Sequence, residues 1–443
     1  MEVHVAMNMI LLKKSVLEER YSNALEELEV VEEQLTVASR NILTQVCREI
    51  AVEEGFGKAV ELVIGLSRRL GFFIADPEMD LLETADVPMQ TGTAVARLVF
   101  NPKRATRGDV KALASLGIID HRATDESWMY EKWEMNRKGT GHPLNSAAYG
   151  WGKRQQDSMK CFLCSGLGED RERPLNPNEV FLVCEGSDSP IYAGCNFAAL
   201  APYHMTAFRR ERFQQAVDSS TAQRTLSILD NLQKGSDPGR GPFVVIHNGD
   251  LVCRMADDGK IKMVGAGATL MHDHNQFMRV DLPAAKAAII SHCNDGDVSA
   301  SVLNWPSSML RFDCPITARS SLLKCVNGLI TTWQKDNQDN TVNLIVTRVD
   351  GDDVVFVALR RIGMADAQEK PCVASLEQVG DIAIDDRPMF ENYQKATEEE
   401  RRFFVSNVLA SVDPVLKDVD GNVEQRCDRL NSYLARSVSG KYS

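Results

Sequence analysis

The stretch TVNLIVTRVDGDDVVFVALRR, positions 341–361, constrains the fold of this chain more than any other. Two runs rich in β-branched residues flank Asp350-Gly351. An Asp-Gly pair between such runs is the sequence signal of a tight antiparallel hairpin, because both central turn residues need positive φ. Around this hairpin, strand-like and helix-like runs alternate irregularly. They lack the regular spacing of a parallel, dinucleotide-binding sheet. The runs VARLVF (95–100), FLVC (181–184) and PFVVI (242–246) read as strands, and the stretches around 56–70 and 209–232 read as helices. The expected class is α+β, an antiparallel sheet with flanking helices, preceded by an N-terminal helical extension.

In that extension, Ser15 and Glu18 have the spacing of a capping box. Leu17, Tyr21, Ala24, Leu28, Val31, Leu35, Ala38 and Ile42 then recur at steps of four and three, the seam of an amphipathic helix. Its Glu-rich surface suits packing on its own domain or against a partner helix. Positions 76–93 read as a linker. With 443 residues the chain is long enough for two or three domains. The expected division is a helical region over 1–90, a catalytic domain over 95–282 with an irregular insertion at about 108–160, and an α+β half over 283–443.

A formal net charge of −12 argues against nucleic acid as the main partner, since phosphate backbones select basic surfaces. A small anionic ligand held by local arginines is compatible with it. No apolar run approaches the roughly 20 residues of a membrane-spanning helix. At the start of the chain Glu2 precedes a short apolar patch and the lysines follow it, the reverse of a secretory signal. Of the eleven cysteines only Cys161 and Cys164 form a tight pair. A cytoplasmic enzyme with reduced thiols is expected.

Four constellations carry chemistry. The first is GAGATLMHDHNQF, positions 265–277. If this segment is a strand, His272, His274, Gln276 and Met278 share one face, and Asp273, Asn275 and Phe277 the other. Two imidazoles and an amide are costly to bury without partners, so their face lines a site or forms hydrogen-bonded pairs at a sheet surface. The second is the Cys161/Cys164 pair, which supplies half of a tetrahedral zinc site or a redox couple. The third is CNFAALAPYHMTAF (195–208), which places Asn196, Pro202 and His204 in a loop. The fourth is NPKRATR, where Arg104 and Arg107 form either a phosphate fork or a solvated loop.

Taken together, these segments resemble the galactose-1-phosphate uridylyltransferase branch of the histidine-triad superfamily. They are also similar to its diadenosine tetraphosphate phosphorylase and GDP-hexose phosphorylase relatives. The branch carries a Gly-x-Ser/Thr lead before His-x-His-x-Gln, matched here by Gly267, Thr269, His272, His274 and Gln276. The resemblance implies zinc, one structural ion per chain, on Cys161, Cys164, His204 and His272. It also implies phosphate or nucleotide contacts from Arg104, Arg107, Asn196, Phe197, Asn248, Gly267 and Thr269. It spans about residues 95–282 and continues more weakly through NWPSSMLRF and the 341–361 hairpin. It thereby implies a histidine-triad-like antiparallel sheet in two related halves. Residues 1–90 lie outside it and the insertion has no counterpart. Asp273 stands where relatives often carry Pro or an aliphatic residue.

The implied reaction is nucleotidyl transfer with His274 as nucleophile and Gln276 as a phosphate donor. The substrate would be a nucleoside diphosphate sugar or a dinucleoside polyphosphate. Glutamine at 276 accompanies transferases and phosphorylases, whereas a third histidine there accompanies hydrolases. The alternatives are such a hydrolase or a zinc-stabilised scaffold without activity. Uridylyltransferases of this kind pair as dimers, which makes a homodimer an expectation of the resemblance as well.

Overall fold

A computed structural model describes residues 46–69, 82–89, 93–101, 182–184, 191–196, 199–209, 215–255, 261–265, 273–364, 373–384 and 386–439. The expected hairpin is there. Strands β13 (Asn340–Val349) and β14 (Asp352–Arg361) pair antiparallel from Asn340↔Arg361 to Val349↔Asp352. The turn residues Asp350 and Gly351 have φ of 51° and 93°, as a two-residue loop of this kind demands.

The other strands are β1 (Glu83–Pro88), β2 (Val95–Phe100), β3 (Leu182–Cys184), β4 (Ile191–Cys195), β5 (Met205–Arg209), β6 (Phe243–His247), β7 (Leu251–Met255), β8 (Ile261–Gly265), β9 (His274–Arg279), β10 (Ile289–Asp295), β11 (Val298–Leu303), β12 (Met309–Pro315) and β15 (Asp381–Ala383). The helices are α1 (Phe56–Arg69), α2 (Thr221–Gln233), α3 (Arg319–Asp336), α4 (Ser375–Gln378), α5 (Arg387–Lys395), α6 (Glu398–Ser411), α7 (Pro414–Lys417) and α8 (Val423–Ser439). The stretch 83–88, read from sequence as linker, is a strand. Ala85 and Val87 turn inward while Thr84, Asp86 and Pro88 turn out, a short alternation with weak apolar contrast. The helix expected around 209–232 begins only at Thr221. Before it, Asp218 accepts hydrogen bonds from the Ser220 N–H and the Thr221 hydroxyl, a local turn that competes with helix. The N-terminal seam (17–42) and the 108–160 insertion lie outside the described residues.

Ten strands form one sheet in the order β10-β11-β12-β14-β13-β6-β9-β5-β4-β3, antiparallel throughout. It consists of two five-stranded halves with the same winding. In chain order, β3, β4, β5, α2, β6 and β9 repeat as β10, β11, β12, α3, β13 and β14. In each half the spatial order is fourth, fifth, third, second, first, and the helix comes between the third and fourth strands. The halves join through their fourth strands, β6 and β13, which pair antiparallel. Strands β3, β4, β5, β6 and β9 and strands β10 to β14 therefore belong to one continuous sheet. The β7–β8 hairpin stands apart between β6 and β9.

Both faces of this sheet are covered, which is why β14 reads VVFVAL without alternation. Val355, Val357 and Leu359 join α1, α2, α3 and α8 in one core. Val354, Phe356 and Ala358 join the second core with β2, α5 and α6. A three-stranded sheet, β1-β2-β15, lies over that second side. Among the described residues no helix is long and apolar enough to cross a membrane.

The β2–β15 contact gives a pH prediction. Arg97 Nε and Nη2 each lie 3.1 Å from an Asp381 carboxylate oxygen. Burial nevertheless outweighs the arginine and pushes the Asp381 carboxyl up to about 6. Between its unfolded value of about 4 and about 6, the folded state holds a proton that the unfolded state has released. The contribution to stability is therefore present below about pH 4 and lost as pH rises through about 6, at most about 3 kcal/mol. Urea unfolding of wild type and Asp381→Asn across pH 4–7 checks this. The difference between the two should change over that window in this direction, and parallel curves would contradict it.

Candidate active site

The site is built on β9. Pairing with β5 (His274↔Phe208, Gln276↔Thr206) and with β6 (Ile246↔Gln276) makes β9 an inner strand, so its side chains alternate strictly. Phe277 belongs to the core on the α2 face and Met278 to the core on the opposite face. His274 and Gln276 share the side of Met278, while Asp273 and Asn275 turn towards α2. The alternation expected from the sequence is thus observed from 273 onward.

On the front face, His204 sits at the entry to β5 and is 1% exposed. The hairpin between β4 and β5 brings it there. The Asn196 N–H donates to the His204 carbonyl at 3.0 Å, and Tyr203 turns the chain with φ of 61°. A left-handed tyrosine carries a cost of order 1 kcal/mol, held here by the packing of its ring on Phe243, with centroids 6.2 Å apart.

The His204 ring is fully committed. Nδ1 accepts the Leu200 backbone N–H at 3.0 Å, so the proton of the neutral ring resides on Nε2. Nε2–H then donates to Gln276 Oε1 at 2.7 Å. This fixes the amide: with its oxygen towards His204, the Gln276 NH2 points away from it. Asn196 Nδ2 lies 3.4 Å from the same ring nitrogen, at the margin of contact. His204 therefore acts on Gln276, two residues from His274. Replacing His204 by Ala should lower turnover by on the order of 10- to 100-fold through loss of this orientation. The double variant with Gln276→Ala should be no worse than Gln276→Ala alone. Additive losses in steady-state kinetics would separate the two residues.

On the rear face, Asp273 Oδ1 accepts from His247 Nε2 at 3.0 Å and Oδ2 pairs with Arg224 Nη2 at 3.0 Å. All three residues are at least 95% buried. Asn275 Nδ2 donates to Thr225 Oγ1 of α2 at 3.0 Å. Gln215, 0% exposed, accepts the His274 backbone N–H at 2.8 Å and donates to the Asn248 carbonyl at 2.6 Å. Asn248 follows β6, and its Oδ1 accepts the Ser375 N–H at 3.1 Å and hydroxyl at 2.6 Å. The next residue, Gly249, donates its N–H to Asn343 Oδ1 at 2.7 Å. A Cβ there would lie 2.8 Å from Thr341 Oγ1, so the close approach to β13 requires glycine.

Of the residues expected at the site, His204, His274, Gln276, Asn196 and Asn248 are described. His204, Gln276 and Asn196 meet directly, and β9 places His274 beside them. Asn248 instead uses its side-chain oxygen against α4. Arg104, Arg107, Phe197, Gly267, Thr269, Cys161, Cys164 and His272 lie outside the described residues. No group of three or more metal-ligating side chains occurs among the described residues. His204, as seated, offers both ring nitrogens to other partners, so a metal there would displace Leu200 or Gln276. Gln215, Arg224 and His247 were not expected from the sequence. Asp273 held the only signal for them, since a carboxylate on the covered face of an inner strand needs a buried cation.

No protein-family model matches the chain, and no curated protein matches it by sequence. Among solved structures, it is similar to yeast Ap4A phosphorylase Apa2. To the form in complex with AMP it is 12% identical with a TM-score of 0.43, over 80% of this chain and 94% of that one. To the form with Ap4A it is 13% identical with a TM-score of 0.44, over 80% and 96%. To a further crystal structure of the same enzyme it is 13% identical with a TM-score of 0.44, over 80% and 93%.

Proposed function

We propose that the protein is a nucleotidyltransferase of the phosphorylase or hexose-1-phosphate nucleotidylyltransferase type, acting on a dinucleoside polyphosphate or a nucleoside diphosphate sugar. One observation carries the reading. The motif strand presents His274 and Gln276 on a single face, with the Gln276 oxygen anchored by His204 so that its NH2 remains to meet a phosphate oxygen.

In the reaction, a neutral His274 ring nitrogen attacks the α-phosphorus of the substrate. The bond from that phosphorus to the bridging oxygen breaks, and the departing phosphate takes the electron pair. An oxygen of an acceptor phosphate then attacks the nucleotidyl-histidine and the P–N bond breaks, regenerating the imidazole. Gln276 donates to a non-bridging oxygen whose charge grows in each step. Arg104, Arg107, Thr269 and the Gly267 backbone are assigned to the remaining phosphate oxygens, and Asn196, Phe197 and Asn248 to the nucleotide. These assignments rest on the motif resemblance.

The test is incubation with α-labelled dinucleoside polyphosphates and nucleoside diphosphate sugars, followed by a search for an acid-labile, base-stable label on histidine. Label that chases into product on adding inorganic phosphate or a sugar phosphate is expected. Absence of label with every nucleotide of both classes would overturn the reading.

A structural zinc on Cys161, Cys164, His204 and His272 stays part of the proposal, with no chemical step assigned to it. It would have to take the place of the Leu200 N–H at His204 Nδ1, so that Nε2 still anchors Gln276. Metal analysis giving about one zinc per chain, lost in the Cys161→Ser/Cys164→Ser double variant, is its expected outcome. Fully active, metal-free protein would remove it.

A further inference from the structure

The geometry points to Gln215 as the residue that positions the attacking histidine, a role nothing in the motif assigns. The inference rests on the reading of His274 as nucleophile. The β6–β9 ladder ends at Ile246↔Gln276, and beyond it Asn248 and His274 are not joined by backbone pairing. Into this gap the Gln215 carboxamide inserts like a peptide unit. Oε1 accepts the His274 N–H at 2.8 Å, and Nε2 donates to the Asn248 carbonyl at 2.6 Å and reaches the His274 carbonyl at 3.4 Å. Both hydrogen-bonding groups of the His274 main chain are thus addressed by one side chain, itself 0% exposed. A side-chain amide is the group that reproduces the donor and acceptor of a ladder.

The chain beside Gln215 is in turn fixed: two residues on, the Val217 N–H donates to Asp250 Oδ1 at 2.7 Å. With His247 Nε2–H given to Asp273 and Gln215 Nε2 donating to carbonyls, the 3.2 Å approach of these two nitrogens is packing and not a hydrogen bond. The clamp acts on backbone, so it sets where the His274 ring begins rather than touching substrate. Gln215 is a positioning residue, and its loss should appear in kcat rather than in KM.

Two variants and two readouts test this. In Gln215→Ala, peptides covering 273–276 should exchange amide hydrogens at least about tenfold faster than in wild type, while β14 peptides keep their wild-type rate. With the substrate that labels the wild type, kcat should fall on the order of 10- to 100-fold with KM changed less than about threefold. Gln215→Glu distinguishes positioning from general damage. Its carboxylic acid can accept from His274 and donate to Asn248 only when protonated, so its kcat relative to wild type should recover as pH falls.

Unchanged exchange at 273–276 in Gln215→Ala overturns the clamp. Faster exchange with wild-type kcat, or a Gln215→Glu deficit independent of pH, overturns the positioning role. If the wild type takes no label from any nucleotide, the functional reading fails alone, because the exchange measurement still decides whether Gln215 holds the strand.

Discussion

His274→Ala will take no nucleotidyl label, and its turnover will fall by on the order of a thousandfold or more, about 4 kcal/mol of transition-state stabilisation. His274 shares its face with an oriented Gln276, and Asp273 before it points away into a buried ion pair. The second half of the sheet gives an internal control. Its fifth strand, β14, contains no histidine, and the face corresponding to that of His274 is filled by buried Val354, Phe356 and Ala358. Gln276→Glu sharpens the test, since a carboxylate still accepts from His204 but presents an oxygen where the NH2 stood. It should label slowly, with a loss on the order of 100- to 1000-fold, the cost typical of removing one donor to a developing oxyanion. Wild-type labelling of His274→Ala would place the nucleophile elsewhere.

Much of the architecture was legible because local and global signals agree in it. The Asp350-Gly351 turn, β2 and the period-2 placement of His274, Gln276 and Met278 follow from rules that act within a few residues. Even the two related halves were expected, though only the order of strands in the sheet displays them. What escaped the sequence is non-local. Gln215 is 59 residues from the main chain it clamps, and no local pattern in QQAVD marks it. His204 is 72 residues from Gln276, and no local pattern marks the hydrogen bond between them. β1 was missed because its inward residues include only Ala85 and Val87, too little apolar contrast to lift it out of a linker. The Asp218 turn delays α2 by local hydrogen bonding that residue propensities do not distinguish from helix.

Asp273→Ala will be the most destabilising single change on the rear face, by about 3–5 kcal/mol in urea unfolding. Removing the carboxylate leaves the Arg224 guanidinium, 4% exposed, without its partner on Asp273, and leaves His247 Nε2–H without an acceptor. Replacing both ions together, as Arg224→Met with Asp273→Leu, should cost less than Asp273→Ala alone, because no uncompensated charge remains. The ion pair thus adds little net stability for two buried charges. What it supplies is register. A slip of β9 by one residue would swing His274 towards α2 and bring the Asp273 carboxylate, stripped of Arg224, to the face of Gln276. The native register is the one in which the carboxylate meets its cation and the imidazole shares the face of Gln276. The apolar double variant should therefore keep most of its stability yet lose part of its activity. A double variant as active as wild type would show that the apolar residues of β9 fix the register unaided.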